Sequence, residues 1–127
     1  MFTDDNGVVG LSVIEDLVYI VRSWSSKVEV FSSSLSTIHH QIAVPDLDLP
    51  NDMAGCIRNK CLYLTDYSSD VHRVEVGIGG SHSKWSAGTG SLAVSVFQPT
   101  ASVLVTFQTA HKVTKLRTTT SLLERAK

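Results

Sequence analysis

A strand–turn–strand segment comes round three times in this chain, and that recurrence limits the fold more than any single motif does. The copies lie at residues 19–30, 63–76 and 104–113. Tyr63 follows Tyr19 by 44 residues, and Leu104 follows Tyr63 by 41. Self-similarity at this spacing means one supersecondary unit reused, each copy burying its apolar face on the next. Each copy opens with an apolar run: Leu11-Ser12-Val13-Ile14, Met53-Ala54-Gly55-Cys56-Ile57 and Leu92-Ala93-Val94-Ser95-Val96-Phe97. Such runs suit strands buried on both faces. A turn and a second strand follow, at 17–21, 61–65 and 103–107, and then a small polar turn leads to a third strand.

The third strand carries the clearest pattern. Lys27-Val28-Glu29-Val30 and Arg73-Val74-Glu75-Val76 alternate charged and apolar residues, the period of a strand with one wet face. The third copy starts as Lys112-Val113-Thr114 but has Lys115 where an apolar residue is expected, so it reads as decaying there. This alignment places a basic residue at the same point in each copy, at Lys27, Arg73 and Lys112. It also makes the turn before the third strand two residues longer in the second copy. Weaker fourth strands are read at 36–44 and 121–123, and none is readily placed in the glycine- and serine-rich stretch 77–90. Pro45 and Pro50 bracket Asp46-Leu47-Asp48-Leu49 as the crossing between units. No segment has a long helical period.

Several strands within a unit of ~40–45 residues is the plan of a propeller blade. The expected fold is all-β: β-propeller-like blades of antiparallel meander strands, repeated over 8–47, 48–88 and 89–127. Closed rings take roughly four to eight blades, so three make an incomplete ring. Further blades or self-association would complete it, because open blades leave unpaired edges.

The second copy, Leu62-Tyr63-Leu64-Thr65-Asp66-Tyr67-Ser68-Ser69-Asp70-Val71-His72-Arg73-Val74-Glu75-Val76, resembles an NHL-type propeller repeat. The first copy keeps the Tyr and the Lys-Val-x-Val but has Arg22 where the family favours an acid. The third has Gln108 near that place and lacks the Tyr. The resemblance implies a ring used as a platform for protein or RNA partners, sometimes joined to a ubiquitin-ligase module. No Cys/His array of a RING or B-box type accompanies it here.

Composition narrows the chemistry. A formal charge of −1 gives no general attraction to nucleic acid or to an acidic membrane. The acidic, polar start Met1-Phe2-Thr3-Asp4-Asp5-Asn6 lacks the pattern of a secretory leader, and no run approaches the ~20 apolar residues of a membrane span. A cytoplasmic protein without membrane attachment is expected. Cys56 and Cys61 fall on consecutive strands and read as buried free thiols. His39 and His40, on one strand, point to opposite faces and cannot chelate as a local pair. Asp46 and Asp48 open like a calcium loop that no later acid completes. Gly77-Ile78-Gly79-Gly80 lacks the Lys and the helix of a phosphate loop. No nucleophile elbow is present. The expectation is a non-enzyme without cofactor or metal.

In a meander, the turns after the second strands share an end with the crossings between blades. That end collects Trp24, Trp85 and the repeated basic residues Lys27, Arg73 and Lys112, with His72 and His111 beside two of them. These seven residues are the candidate recognition surface, with a protein partner first and RNA second, since Trp among basic residues can also stack on bases. The competing reading makes the basic residues solvated strand positions and the tryptophans seals between blades.

Overall fold

The computed structural model describes residues 7–34, 37–68, 70–77, 81–86, 91–107, 112–116 and 123–126. They form three four-stranded antiparallel sheets. The first holds β1 (Val8–Ile14), β2 (Leu17–Arg22), β3 (Lys27–Ser32) and β4 (Ile38–Ala43). The second holds β5 (Pro50–Cys56), β6 (Cys61–Asp66), β7 (Asp70–Glu75) and β8 (His82–Ser86). The third holds β9 (Ser91–Phe97), β10 (Ser102–Phe107), β11 (Lys112–Leu116) and β12 (Leu123–Ala126), with a single 3-10 turn at Gln98–Thr100. Strand order within every sheet follows the chain, so each is a meander. The all-β expectation holds, and the stretch 77–90 does contain a fourth strand, β8.

The sheets stack face to face, and their seams are the core. In the first seam Ile14, Tyr19, Val21, Val28 and Val30 of sheet 1 meet Met53, Leu62, Leu64 and Val74 of sheet 2. In the second, Cys56, Cys61, Tyr63 and Val71 meet Val94, Val103 and Val105 of sheet 3. The six residues of β6 are all buried, because its side chains alternate between two occupied seams. Each fully buried Leu or Val there contributes roughly 1.5–3 kcal/mol. The first seam is tight enough to require a glycine. A Cβ on Gly10 would lie 2.7 Å from the Met53 Cβ and 2.9 Å from the Met53 backbone nitrogen.

Register shows which residues of the three sheets correspond, and it corrects the alignment read from sequence. Val21 pairs with Val28, Thr65 with Val71 and Thr106 with Val113. Lys27, Asp70 and Lys112 therefore occupy one position, at the head of the third strand. Tyr19 pairs with Val30, Tyr63 with Arg73 and Leu104 with Lys115. Arg73 is thus the counterpart of Val30 and Lys115, and Lys27, Arg73 and Lys112 form no column. Lys115 marks no decay, since β11 runs on to Leu116. The connection before the third strand is one residue shorter in the second sheet, not two longer. The Lys-Val-Glu-Val likeness is out of register by three residues, an odd slip that exchanges the strand's faces. A second correction concerns β1. Leu11 and Val13 are exposed, because sheet 1 has no sheet against its outer face among the described residues.

Candidate functional site

The turns after β2 and β6 and the crossing from β4 to β5 do meet at one end. The Val44 N–H donates to the Ser26 carbonyl at 2.9 Å, and the Tyr67 N–H donates to the Asp48 carbonyl at 2.9 Å. The crossing is thereby held to the turns of both neighbouring sheets. Two of its residues have left-handed backbone, Asp46 at φ 66° and Leu49 at φ 49°. Aspartate tolerates that region, whereas a leucine there is uncommon and stores strain. Pro50 follows at the head of β5, where its missing N–H costs no ladder bond.

This conformation leaves Leu49 exposed beside two large aromatic side chains, Trp24 at 75% and Tyr67 at 70% exposure. With Val9, Ser23, Pro50 and Asn51 they line a groove of about 210 Å³ between the ends of the first two sheets. Aromatic rings held open to water on anchored turns form a ready contact surface, because little further ordering is needed to use them.

Beneath the groove, Asp66 fastens the end together. Its Oδ1 accepts the Ser68 N–H at 3.1 Å, the Ser68 hydroxyl at 2.6 Å and the Asp70 N–H at 3.3 Å. Its Oδ2 accepts the Asp48 N–H at 3.0 Å and bonds His72 Nε2 at 2.7 Å. Burial by itself would raise this carboxyl, but the bonds from His72, Asp48 and Ser68 outweigh it and hold the group down to about 2. An ionised Asp66 makes His72 Nε2 the donor, and His72 Nδ1 lies 3.1 Å from His82 Nε2. Burial, and then the neighbouring His72, lower the His82 pKa.

This chain of contacts runs from Asp66 through His72 and ends on a second imidazole, His82. The ligand atoms of Asp66, Asp70 and His72 lie within 4.8 Å of one another, close enough to suggest a cation site. The first sheet holds an ion pair at the corresponding position. Arg22 and Glu29 correspond by register to Asp66 and His72, and they too are joined, Arg22 Nε donating to Glu29 Oε1 at 2.6 Å. Both sheets use this place for a clasp across the second and third strands.

The seven residues singled out from sequence separate. Trp24 lines the groove, and Lys27 is exposed at the head of β3. His72 is fully buried in the clasp, which takes it off any recognition surface. Arg73 is half-buried beside Glu75, its Nη1 3.4 Å from Oε2, on the sheet face opposite that of His72. Trp85 packs against the second seam, as a seal between sheets. Lys112 heads β11, and His111 lies outside the described residues. Tyr67, Leu49 and Asp66 went unnominated. The usable signals were an aromatic inside a polar turn, a Leu-Pro pair in a crossing, and an acid closing a strand ahead of a turn.

The histidine expectation also needs correction. Val30 pairs with His40 but Phe31 with Ile38, so His39 is the extra residue of a β-bulge. The bulge cancels the alternation, and the two Nδ1 atoms lie 2.7 Å apart. The pair lines a shallow cavity of about 580 Å³ with Gln41, Ile42, Ala43, Glu75, Val76 and Gly77. None of these lining residues is Trp, Tyr or Phe. Cys56 and Cys61 are buried free thiols, as expected.

No protein-family profile matches the sequence, and no curated protein matches it. Solved structures do. Kuenenia stuttgartiensis hydrazine synthase superposes with a TM-score of 0.77 at 14% identity, over 99% of this chain and 36% of that one. Nidogen, from a nidogen/laminin complex, gives 0.75 at 12% identity over 94% and 48%. The WD40 repeats of RRP9 give 0.73 at 13% identity over 99% and 39%. The fold is that of a β-propeller. The three sheets are blades, and the chain spans between about a third and a half of these neighbours' lengths. Identities this low carry the fold alone. Among the described residues, no helix is long and apolar enough to cross a membrane.

Proposed function

We propose that this chain is a non-catalytic interaction platform of the NHL-like propeller kind, binding a protein partner at the Trp24–Tyr67 end of its blades. The observation that carries the reading is the pair of exposed aromatics on adjacent blade turns, with Leu49 and Pro50 between them. Aromatic anchors dominate binding energy at protein interfaces, and grooves lined by them suit extended apolar or proline-containing segments. Propeller neighbours support a scaffold of this type: nidogen forms a complex with laminin, and RRP9 uses WD40 repeats. The NHL-like assignment rests on the Tyr63-to-Val76 stretch of the second blade. RNA is the alternative partner, with less support, since Arg73 stands at a different position from Lys27 and Lys112.

A displayed peptide library selected against the chain tests the proposal, with single-stranded RNA titrated in parallel across salt. Selected peptides are expected to lose at least ~10-fold in affinity on Trp24→Ala or Tyr67→Ala, the size of a modest hot spot. Peptide binding unaffected by the double variant would overturn the location. Tight, steeply salt-dependent RNA binding would overturn the partner class.

A further inference from the structure

We propose that His39 and His40 form a two-nitrogen chelate for a divalent transition metal, copper(II) or nickel(II), on the outermost strand of the first blade. Consecutive residues of a regular strand aim their side chains at opposite faces. Here Val30 pairs with His40 and Phe31 with Ile38, so His39 is the extra residue of a bulge, and bulges re-aim side chains. The two Nδ1 atoms lie 2.7 Å apart, with ring centroids 5.0 Å apart and ring planes at 65°. Two facing lone pairs repel at that distance, and so do two N–H groups. The pair therefore suits one positive centre held between the rings, a shared proton or a metal ion.

Distance selects the metal class. Bonds of about 2.0–2.1 Å to one ion set two imidazole nitrogens roughly 2.9 Å apart at a right angle and roughly 3.3 Å apart at the tetrahedral angle. The observed 2.7 Å is nearer the right angle, the arrangement of square-planar and tetragonal ions. Both side chains are exposed, so the rings can turn about their terminal torsions to aim both lone pairs at the ion. The proton they share then passes through water to the Nε2 of its own ring, leaving two neutral imidazoles as ligands. The surroundings favour a cation. Both histidines line the cavity of about 580 Å³, and the only charged side chain among its described lining residues is Glu75. The Ser81 N–H and hydroxyl donate to Glu75 Oε1 at 3.2 and 2.8 Å, which holds that carboxylate in place on the cavity wall.

Isothermal titration of the 127-residue chain with Cu²⁺ and with Ni²⁺ tests the site. Wild type is expected to bind each ion at least ~10-fold more tightly than His39→Ala or His40→Ala, because the second ring acts as an intramolecular ligand. Zn²⁺, which prefers tetrahedral ligands, should bind more weakly than Ni²⁺. Electron paramagnetic resonance of the copper-loaded chain should show two equatorial imidazole nitrogens. His82→Ala, which breaks the other imidazole pair, should leave the affinity unchanged, and His82→Gln replaces it if circular dichroism shows that variant unfolded. Absence of binding, or equal binding by wild type and either single variant at His39 or His40, overturns the inference. So do a loss of binding in the folded His82 variant, a single equatorial nitrogen, or Zn²⁺ held more tightly than Ni²⁺.

Discussion

Replacing Asp66 by Asn removes a charge and one acceptor at a buried position while keeping the side chain's shape. The carboxylate serves five donors, and its side chain is completely buried. An amide oriented with its oxygen toward Ser68 and Asp70 keeps those bonds. Its NH₂ then faces the Asp48 N–H, which loses its acceptor, while His72 adapts by changing tautomer. One buried unsatisfied N–H costs about 1–3 kcal/mol, a large share of a small domain's stability. The pH dependence gives the sharper test. Asp66 falls from 3.8 to about 2 on folding, which corresponds to roughly 2 kcal/mol of stabilisation. Because the folded value is the lower one, that stabilisation is complete above the unfolded pKa and is lost as pH falls through the folded one. Urea unfolding of wild type and Asp66→Asn, followed by circular dichroism, should show a gap of about 1–3 kcal/mol at pH 6. The gap should narrow by about 1 kcal/mol at pH 3, since only the wild type has this carboxyl to titrate. A gap below ~0.5 kcal/mol at pH 6, inside the usual surface range, would refute the clasp. A gap that stays constant to pH 3 would refute the charge argument.

Two further outcomes follow from the seams. Gly10→Ala should destabilise the chain by about 1–3 kcal/mol in the same unfolding experiment, since the new methyl meets the Met53 backbone rather than a yielding side-chain tip. An unchanged midpoint would show that the first seam is looser than its geometry. Cys56 and Cys61 should resist a thiol reagent in the native protein and both react in denaturant. They are buried, and burial pushes the Cys61 thiol up from 9.0, away from the reactive thiolate. Rapid native labelling of either would contradict the second seam.

Much of the fold was legible because it is local. Val, Ile, Leu and Tyr in short runs, small polar turns and a recurring spacing specify strands and their order without reference to distant residues. Correspondence between copies was not legible, because a single residue dropped from the turn before β7 is invisible to pattern matching. Arg73-Val74-Glu75-Val76 imitates Lys27-Val28-Glu29-Val30, yet pairing with β6 sets the strand three residues away from that match. The one-residue bulge at His39 likewise reversed a side-chain direction that simple alternation had assigned.

The recurrence that opens the sequence determined that this chain builds equivalent antiparallel blades, since each copy holds the strands and turns of a meander in its own residues. Which side chains are available to a partner was decided only by stacking. Trp24 and Tyr67 lie 43 positions apart and meet because two blades pack through Tyr19, Val21, Leu62 and Leu64. His72 looks like a surface residue in its own strand and is buried because Asp66, ending the strand before, closes over it. Leu11 and Phe97 look like core and stand in water because their neighbours in the stack are not among the described blades. Burial is a property of what lies opposite, and a strand's own residues do not contain that information.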